Sequence, residues 1–500
     1  NITTDRLEVN GDGGAALFSK GGNITLQSQT PGQAMELTVN GKDSFAFFFQ
    51  KDNYTTLTGK TVINGDVNAN LKNGAIGYYY EGSGISNTVD LQGYVNSVTD
   101  ASNGKLTINT DSDSFNIAVK NAKVNLSDLK DLSGNSSIEF IGSGKSKLTS
   151  SLLVIDTDSN IDKNNNTGDK TYRNTEIGKS GVSVNQGVTI SGTEDNLVAI
   201  GQSYKANEYN RINSENNGII TLSGNKSIGI YTQRAGQTNT GALNLNGESS
   251  IGMYTTAGTV RNSSEINIGN NGVGIYAETY PEPNDYTTSY ASFDVYNSGK
   301  ITASSGEKAI GIYVNENSSG GYYGQGTLYL EDGSDIDVSA SKGGVGIYSN
   351  KSYVSGNGLN KITAGENGTG IYIKDNTVSL SNLELNLKGD NSVGIYTDGT
   401  SSFSGTGTVN VDGKGIVIFN VAGSGYFNQS FSVNSTVDSQ YIVQNIKDRT
   451  MFYDSYASLG AGGTFTSGIN SAVLLGSNSY LDAAGDNMVG IALTGAYSGG

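Results

Sequence analysis

The sequence holds few of the side chains from which proteins build catalytic centres. Histidine and cysteine are both absent, which excludes Ser-His-Asp and Cys-His nucleophiles and the zinc sites that need these residues. The best cluster of carboxylates is Asp111-Ser112-Asp113. Its two carboxylates could share one face of a strand, but no histidine can partner them. We therefore expect no catalytic residues, no enzyme activity and no cofactor.

A second group of acidic residues follows the pattern with which calcium-binding loops begin. Four oxygen-bearing side chains alternate along the chain: Asp156, Asp158, Asn160 and Asp162. The later requirements of such a loop are missing. Position six is Ile161, where the loop needs glycine, and position twelve is Thr167, where it needs a chelating glutamate. We interpret the segment as a solvated polar turn and expect no metal site.

The strongest pattern is a four-residue motif in which one residue, mostly Ile or Val, precedes Gly, then Ile or Met, then Tyr. The motif occurs at residues 228–231, 251–254, 273–276, 310–313, 345–348, 369–372 and 393–396. Its glycines are 23, 22, 37, 35, 24 and 24 residues apart. The period is therefore about two dozen residues with two longer intervals, which is typical of a solenoid.

Each period also holds a strand of alternating apolar residues before the motif, such as Leu243-Asn244-Leu245 before Ile251. Parallel strands stacked at ~4.8 Å align equivalent residues in columns. We predict that Ile and Val of the motif face the interior while Gly and Tyr face outward. Each Tyr ring should then cover a glycine of a neighbouring rung. Asn-Gly pairs at residues 217, 246, 271 and 367 should form turns with positive φ.

These patterns predict an all-β chain that folds as a right-handed parallel β-helix, or β-solenoid, with loop insertions. We expect irregular rungs over residues 1–195, regular rungs over 196–420 and degenerate rungs over 421–500. No stretch approaches the ~18 apolar residues of a membrane helix. The last rungs should continue beyond residue 500, so we expect the chain to be a fragment of a longer protein.

The two longer intervals predict insertions at residues 277–300 and 314–326, and loops on rigid scaffolds often carry binding residues. Both are rich in tyrosine, as is a third segment at 202–213. Exposed Tyr has a broad amphipathic face that suits a sugar ring or a partner protein. The predicted ligand-binding residues are Tyr204, Tyr209, Tyr280, Tyr286, Tyr290, Tyr296, Tyr322 and Tyr323. The alternative is that these rings pack on their own loops, a structural role that we also expect for the tyrosines of the motif.

The charge of the chain narrows the choice of partner. The net charge is −16, and the 31 basic residues form no cluster. This disfavours nucleic acids and anionic membrane surfaces, which need clustered Lys and Arg. The absence of cysteine suits a polypeptide that is exported unfolded through a narrow pore.

The motif, together with the Leu-x-Leu-x-Gly strand before it at residues 243–247, resembles the passenger repeats of large type Va autotransporter adhesins from fusobacteria. The resemblance covers residues 195–420 and extends loosely to both flanks. It implies a passenger on the bacterial cell surface, anchored in the outer membrane by a C-terminal β-barrel outside this chain. It also implies attachment to host cells or partner bacteria through a glycan or a surface receptor.

The prediction is therefore an adhesin passenger, a rigid rod whose loops bind a glycan or a receptor. Two alternatives stay open. The chain could be a spacer stalk that holds a distal binding tip, with its tyrosine-rich loops serving only for packing. It could also be a β-helical enzyme that degrades polysaccharides, although the missing histidine weighs against that class.

Overall fold

The computed structural model describes the chain in segments, and their secondary structure consists of strands and turns. The described residues are 1–50, 61–85, 88, 103–126, 138–161, 175–176, 180–203, 212–279, 292–316, 326–421, 427–435, 442–446, 450–453, 456–459, 464–467, 472–475, 480–483 and 489–493. No helix long and apolar enough to cross a membrane occurs in these segments.

Short strands follow one another along the whole described chain. The strands up to residue 216 are β1 (Ile2–Thr3), β2 (Arg6–Asn10), β3 (Ala15–Ser19), β4 (Ile24–Gln27), β5 (Met35–Asn40), β6 (Phe45–Gln50), β7 (Thr61–Asn64), β8 (Val67–Lys72), β9 (Ile76–Glu81), β10 (Leu106–Thr110), β11 (Phe115–Lys120), β12 (Lys123–Asn125), β13 (Ile138–Gly142), β14 (Ser146–Thr149), β15 (Leu152–Ile155), β16 (Ser159–Ile161), β17 (Thr175–Glu176), β18 (Gly181–Val184), β19 (Thr189–Gly192), β20 (Val198–Ser203) and β21 (Ser214–Asn216).

The later strands are β22 (Ile219–Leu222), β23 (Ile228–Gln233), β24 (Gln237–Asn239), β25 (Ala242–Leu245), β26 (Ile251–Thr256), β27 (Gly258–Asn262), β28 (Glu265–Ile268), β29 (Val273–Glu278), β30 (Phe293–Asn297), β31 (Lys300–Ala303), β32 (Ile310–Asn315), β33 (Thr327–Leu330), β34 (Asp335–Asp337), β35 (Val345–Asn350), β36 (Tyr353–Gly356), β37 (Asn360–Ala364), β38 (Thr369–Lys374), β39 (Thr377–Leu387), β40 (Val393–Asp398), β41 (Ser402–Val411), β42 (Ile416–Val421), β43 (Phe427–Ser435), β44 (Ile442–Ile446), β45 (Thr450–Tyr453), β46 (Tyr456–Leu459), β47 (Thr464–Ser467), β48 (Ala472–Leu475), β49 (Tyr480–Ala483) and β50 (Val489–Leu493).

The chain forms two compact units, Asn1–Ser191 with Gly201–Gly218 and Gly192–Ile200 with Ile219–Gly500. In the first unit, parallel ladders join β1-β4-β7, β2-β5-β8-β10-β13 and β3-β6-β9-β11-β14-β17. Successive strands of the second of these ladders pair residues 30, 32, 39 and 32 positions apart. The rungs of this unit are therefore longer than the two-dozen-residue period of the motif.

In the second unit, the rungs form three parallel ladders, and at β39, β41 and β43 one long strand serves both the middle and the third ladder. The motif ladder joins β23, β26, β29, β32, β35, β38, β40 and β42. The middle ladder joins β24, β27, β30, β33, β36 and β39. The third ladder joins β25, β28, β31, β34, β37 and the later part of β39. These all-parallel stacked ladders confirm the predicted parallel β-helix.

The interior of each rung is lined by side chains that alternate along the strands. In β25, Leu243 and Leu245 are fully buried while Asn244 between them is only partly covered. The same alternation buries Ile266 and Ile268 in β28. Since neighbouring rungs keep these residues in register, apolar columns run through the interior and hold the rungs together.

The motif strand differs from the prediction in the directions of its first residue and of its glycine, since the prediction placed the first residue inside and the glycine outside. Its first residue and Tyr are half-buried, whereas Gly and the following Ile or Met are both buried. A Cβ built on Gly346 would lie 2.6 Å from the buried Ile362 Cγ2 and 2.5 Å from Gly370 O. The glycine therefore faces the interior. The prediction was wrong because two consecutive residues point inward, which breaks the period-two alternation on which it rested.

A residue with positive φ precedes each motif strand by two positions. These residues are Lys226, Ser249, Asn271, Lys308, Gly343, Asn367 and Asn391. The prediction for Asn-Gly turns is thus confirmed at Asn271 and Asn367. It is wrong at Asn217 and Asn246, whose φ values are not in the left-handed region. The residue with positive φ is set by its position two residues before the strand, whatever its type. Lys and Ser therefore also adopt the left-handed conformation there, at a conformational cost of about 1–2 kcal/mol.

The short strands of the middle ladder carry a row of buried, hydrogen-bonded asparagines that the sequence patterns did not reveal. Asn239 Nδ2 donates to Asn262 Oδ1 at 2.9 Å, and Asn262 Nδ2 donates to Asn297 Oδ1 at 2.8 Å. All three side chains are almost fully buried. Each amide both donates and accepts, so identical residues in adjacent rungs satisfy one another inside the fold.

Candidate functional site

The most regular feature of the outer surface of the second unit is the tyrosine column, formed by the tyrosines of the seven motifs. Its members are Tyr231, Tyr254, Tyr276, Tyr313, Tyr348, Tyr372 and Tyr396. From Tyr276 to Tyr396, successive ring centroids lie 4.7–5.0 Å apart with interplanar angles of 2–14°. Tyr rings therefore cover one another, and do not cover glycines as the sequence pattern predicted.

This packing limits what the tyrosine column can bind. A ring that is stacked on both sides presents only its edge and its hydroxyl to solvent. The faces that would contact a sugar or an aromatic ligand are occupied by neighbouring rings. The stacked part of the column thus belongs to the scaffold.

Acidic residues accept hydrogen bonds from three hydroxyls of the column. Tyr254 Oη donates to Glu278 Oε1 at 2.6 Å, and Tyr276 Oη donates to Glu278 Oε2 at 3.3 Å. Tyr372 Oη donates to Asp398 Oδ2 at 3.2 Å. Burial raises the pKa of Tyr254 and of Tyr276 above the usual range, and the hydrogen-bonded carboxylate of Glu278 makes the second-largest contribution. Burial followed by Asp398 raises the pKa of Tyr372 to about 12.

These raised pKa values predict a loss of stability at alkaline pH. An unfolded tyrosine ionises near pH 10. Because the folded pKa values are higher, this contribution to stability is fully present below pH ~10 and is lost as pH rises through the folded values. NMR titration of chain labelled with ¹³C at tyrosine Cζ should show Tyr372 ionising near pH 12.

The Glu278→Gln variant separates the carboxylate's contribution from that of burial. It should lower the pKa of Tyr254 and Tyr276, because it removes a negative charge beside both phenols. Tyr372 contacts Asp398 instead and should titrate as before. Equal shifts at all three tyrosines would contradict the assigned contacts.

Of the eight predicted ligand-binding residues, Tyr296 lies in the described part of the chain. The other seven lie outside the described residues: Tyr204, Tyr209, Tyr280, Tyr286, Tyr290, Tyr322 and Tyr323. Tyr296 belongs to strand β30, so it is not in a loop. The prediction of one insertion over residues 277–300 is corrected accordingly. Phe293 and Val295 are buried, and this alternation extends a regular strand into the predicted loop.

Tyr296 is the centre of a stack on the outer face of the middle ladder. The guanidinium carbon of Arg261 lies 3.9 Å from the Tyr296 ring centroid. On the other side, the Tyr329 ring lies 4.7 Å away with an interplanar angle of 13°. Register explains the stack, because Arg261 pairs with Tyr296 and Tyr296 with Tyr329 in successive rungs. We call Arg261, Tyr296 and Tyr329 the Arg–Tyr stack.

The Arg–Tyr stack ends where the side chains of the next rungs become small. Tyr329 pairs with Ser355, Ser355 with Ser379, and Ser379 with Ser404. All three serines are at least partly exposed. Tyr353 lies two residues before Ser355 on the same face. The half-buried ring of Tyr329 therefore lies next to a row of serine hydroxyls, and Tyr353 lies beside that row.

We call the group formed by Tyr329, Tyr353, Ser355, Ser379 and Ser404 the Tyr329 step. Its place in the sequence is connected to the predicted insertions. The tyrosine-rich residues 280–291 come just before β30, which carries Tyr296, and residues 317–325 come just before β33, which carries Tyr329. The sequence patterns missed Arg261, Tyr329 and Tyr353. Equivalent positions in successive middle strands could have revealed Arg261 and Tyr329.

The acidic groups considered for catalysis or metal binding have local structural roles where the structure describes them. Asp111 accepts hydrogen bonds from the backbone nitrogens of Asn73, Asp113 and Ser114. Burial opposes ionisation of Asp111, but these hydrogen bonds outweigh it and lower the pKa of its carboxyl. Asp158 accepts a hydrogen bond from Thr189 N at 3.0 Å. The described residues contain no group of three or more Asp or Glu placed to hold a metal ion.

Comparison with known proteins adds little beyond this geometry. No protein-family model matches the sequence, and no curated protein matches it. Among solved structures, the chain is similar to one in the cryo-EM structure of the complex of Vag8, an autotransporter passenger of Bordetella, with C1 inhibitor. The match covers 99% of this chain and 100% of the other at 11% identity, with a TM-score of 0.35. At that score we base no argument on the likeness.

Proposed function

We propose that the chain is part of a cell-surface adhesin passenger that attaches a bacterium to host cells or to other bacteria. The observation that carries this proposal is the Arg–Tyr stack with its open end at the Tyr329 step. Most large side chains of the described rungs are buried or stacked on one another. Here a guanidinium group, two aromatic rings and a row of hydroxyls follow one another over successive rungs of the outer face, which suits recognition of a glycan or a receptor.

The proposed location is the bacterial cell surface, with an anchor in the outer membrane outside this chain. The support for it is the resemblance of the repeated motif to autotransporter passenger repeats, together with the parallel β-helix that the chain adopts. A β-helix of this kind lengthens by adding rungs, so distance from the cell and the number of outer positions both grow with length. We propose no catalytic activity for the chain.

The spacer function is supported by a different observation. The rings of the tyrosine column fill one another's faces, so a large part of the outer aromatic surface serves packing. A spacer needs only such packing. The two functions differ in what they require of the tyrosine-rich segments.

Attachment of the purified chain to cells tests the proposal. Fluorescently labelled chain is incubated with epithelial cells and, separately, with other bacterial species, and binding is counted by flow cytometry. We expect saturable binding that falls at least about fivefold when Tyr286, Tyr290, Tyr322 and Tyr323 are all changed to Ala, since aromatic anchors dominate many interfaces.

A deletion of residues 280–291 gives a second variant that leaves strands β29 and β30 intact. Saturable binding that both variants retain in full would remove the tyrosine-rich segments from the site. Absence of saturable binding by the unaltered chain would favour the spacer function over adhesion.

A further inference from the structure

We propose that the Tyr329 step is a binding site for a neutral glycan, with one pyranose ring lying on the open face of Tyr329. The inference rests on the proposed function and names the class of ligand and the residues that would hold it. Four features of the site carry the argument: an available ring face, a floor of hydroxyls, a side wall and the sign of the surrounding charge.

The first feature is the available face of Tyr329. Tyr296 is covered on one side by Arg261 and on the other by Tyr329. Tyr329 is covered by Tyr296 alone among the described rings, and the residue opposite its other face is Ser355. Where the tyrosine column continues, the equivalent neighbour is another tyrosine about 4.8 Å away. The replacement of a ring by a serine therefore leaves a space one ring thick.

The second feature is the floor next to that face. Ser355, Ser379 and Ser404 follow one another in register, so their side chains are spaced by the ~4.8 Å between parallel strands. Each hydroxyl can donate and accept a hydrogen bond. A pyranose carries C–H groups on one face and hydroxyls around its edge. It can pack its C–H face on Tyr329 while its hydroxyls bond to the serines.

The third feature is the side wall. Tyr353 pairs with Thr327 and lies in the same strand as Ser355, two residues earlier. Both side chains are half-exposed on the outer face. Tyr353 therefore borders the floor along one side, and its phenol can contact a sugar from that side. Two aromatic residues around a hydroxyl floor restrict how a ring can lie in the site.

The composition of the site favours a glycan over a protein partner. Protein interfaces derive most of their affinity from apolar or aromatic anchors that fill desolvated pockets. The floor of the Tyr329 step consists of serine, so it has little apolar area to remove from water. A sugar exchanges hydrogen bonds with water for hydrogen bonds with such hydroxyls, and needs only one ring face for packing.

The charges near the site favour a neutral glycan over an acidic one. Glu331 and Asp332 directly follow the strand of Tyr329, and Asp375 lies two residues before β39. Lys351 lies two residues before β36. The carboxylates of Glu331, Asp332 and Asp375 next to the ends of these strands thus outnumber the ammonium groups of Lys351 and Lys374, and Arg261 lies on the far side of Tyr296. A sialylated glycan would be repelled by this excess of negative charge.

The test uses the full chain and an array of immobilised neutral and sialylated oligosaccharides. The neutral oligosaccharide with the strongest signal is then titrated against the chain, with saturation-transfer NMR reporting contacts. We expect binding to neutral members, and saturation transfer from aromatic protons to the sugar C–H groups. No binding to any neutral member, or binding confined to sialylated members, would overturn the proposal.

The Ser355→Tyr variant blocks the site without removing any group from it. The new ring should extend the Arg–Tyr stack, as Tyr329 already does beside Tyr296, and cover the open face. We expect at least about tenfold weaker binding of the titrated oligosaccharide. Ser432→Tyr is the matched control, because Ser432 is half-exposed in β43 and pairs with Thr408 away from the step. Equal affinity of Ser355→Tyr and the unaltered chain would overturn the proposal.

Two further measurements complete the test: one controls for folding, and the other separates this inference from the proposed function. Circular dichroism melting curves of both variants should match the unaltered chain, so that loss of binding is not loss of folding. Attachment to cells whose surface glycans have been removed enzymatically distinguishes the two claims. Undiminished attachment there would overturn the glycan site while leaving adhesion through a protein receptor in place.

Discussion

Changing Gly346 to alanine is expected to destabilise the second unit by about 3 kcal/mol, the upper part of the usual range for overpacking. The new methyl group would lie 2.5 Å from Gly370 O and 2.6 Å from Ile362 Cγ2. One contact is backbone and the other is a fully buried branched side chain, so neither can move away at low cost. Urea unfolding followed by circular dichroism, with hydrogen exchange of β35 and β38, measures the effect.

Gly22→Ala is the matched control for this prediction. A Cβ at Gly22 would meet only Ser19 Oγ, at 3.7 Å, and the residue has no positive φ. We therefore expect a change within about 0.5 kcal/mol. If Gly346→Ala were equally well tolerated, the glycine could not face the interior as the structure places it.

Changing Asn262 to alanine is expected to cost about 3 kcal/mol as well, for a different reason. Asn239 Nδ2 loses the acceptor that it contacts at 2.9 Å, and Asn297 Oδ1 loses the donor at 2.8 Å. Each buried polar group that loses its partner costs about 1–3 kcal/mol. The same urea unfolding experiment measures the loss.

A half-exposed pair of asparagines in the same rungs, Asn244 and Asn267, supplies the control for this second prediction. Asn267 Nδ2 donates to Asn244 Oδ1 at 2.9 Å, and both side chains are partly open to water. Water can replace the lost bond, so Asn267→Ala should cost no more than about 1 kcal/mol. Equal losses of unfolding free energy for Asn262→Ala and Asn267→Ala would show that burial does not determine how much these hydrogen bonds stabilise the fold.

The motif alone was enough to predict the solenoid, its parallel strands and the columns of identical residues. Its period and its alternating apolar residues are properties that a single chain displays without tertiary information. The outward Tyr column followed from the same alternation. The direction of the glycine did not, because Gly and the following residue both face inward. A prediction that assumes strict alternation of side chains along a strand cannot anticipate two consecutive inward-facing residues.

The middle strands could not be recognised from the sequence patterns. Strand β24 is only three residues long, and its sequence Gln237-Thr238-Asn239 has no apolar residue. Its buried Asn239 donates to the equivalent Asn262 of the next rung, and its buried Gln237 donates to Thr232 and to Tyr254 O in the motif strands. These contacts appear only when the rungs are in register. The Arg–Tyr stack lies on the same ladder. Its residues are 33–35 positions apart in sequence and adjacent only after folding.

The predicted tyrosine-rich segments at 280–291 and 317–325 come just before β30 and β33, the strands that carry Tyr296 and Tyr329. The prediction took residues 277–300 as a loop, whereas Tyr296 lies in a strand and packs between Arg261 and Tyr329. The ligand-binding role of the eight predicted tyrosines stays a prediction. The structure adds the Tyr329 step as a surface on which the proposed attachment can be tested one side chain at a time.

Attachment of the Ser355→Tyr chain to cells tests the central claim most directly, because the substitution closes the Tyr329 step and leaves the rest of the outer face unchanged. The measurement is the bound fluorescence of labelled chain on epithelial cells, beside the unaltered chain and Ser432→Tyr. We predict that Ser355→Tyr loses most of the attachment while Ser432→Tyr keeps it. Attachment of the Ser355→Tyr chain at the level of the unaltered chain would contradict the account.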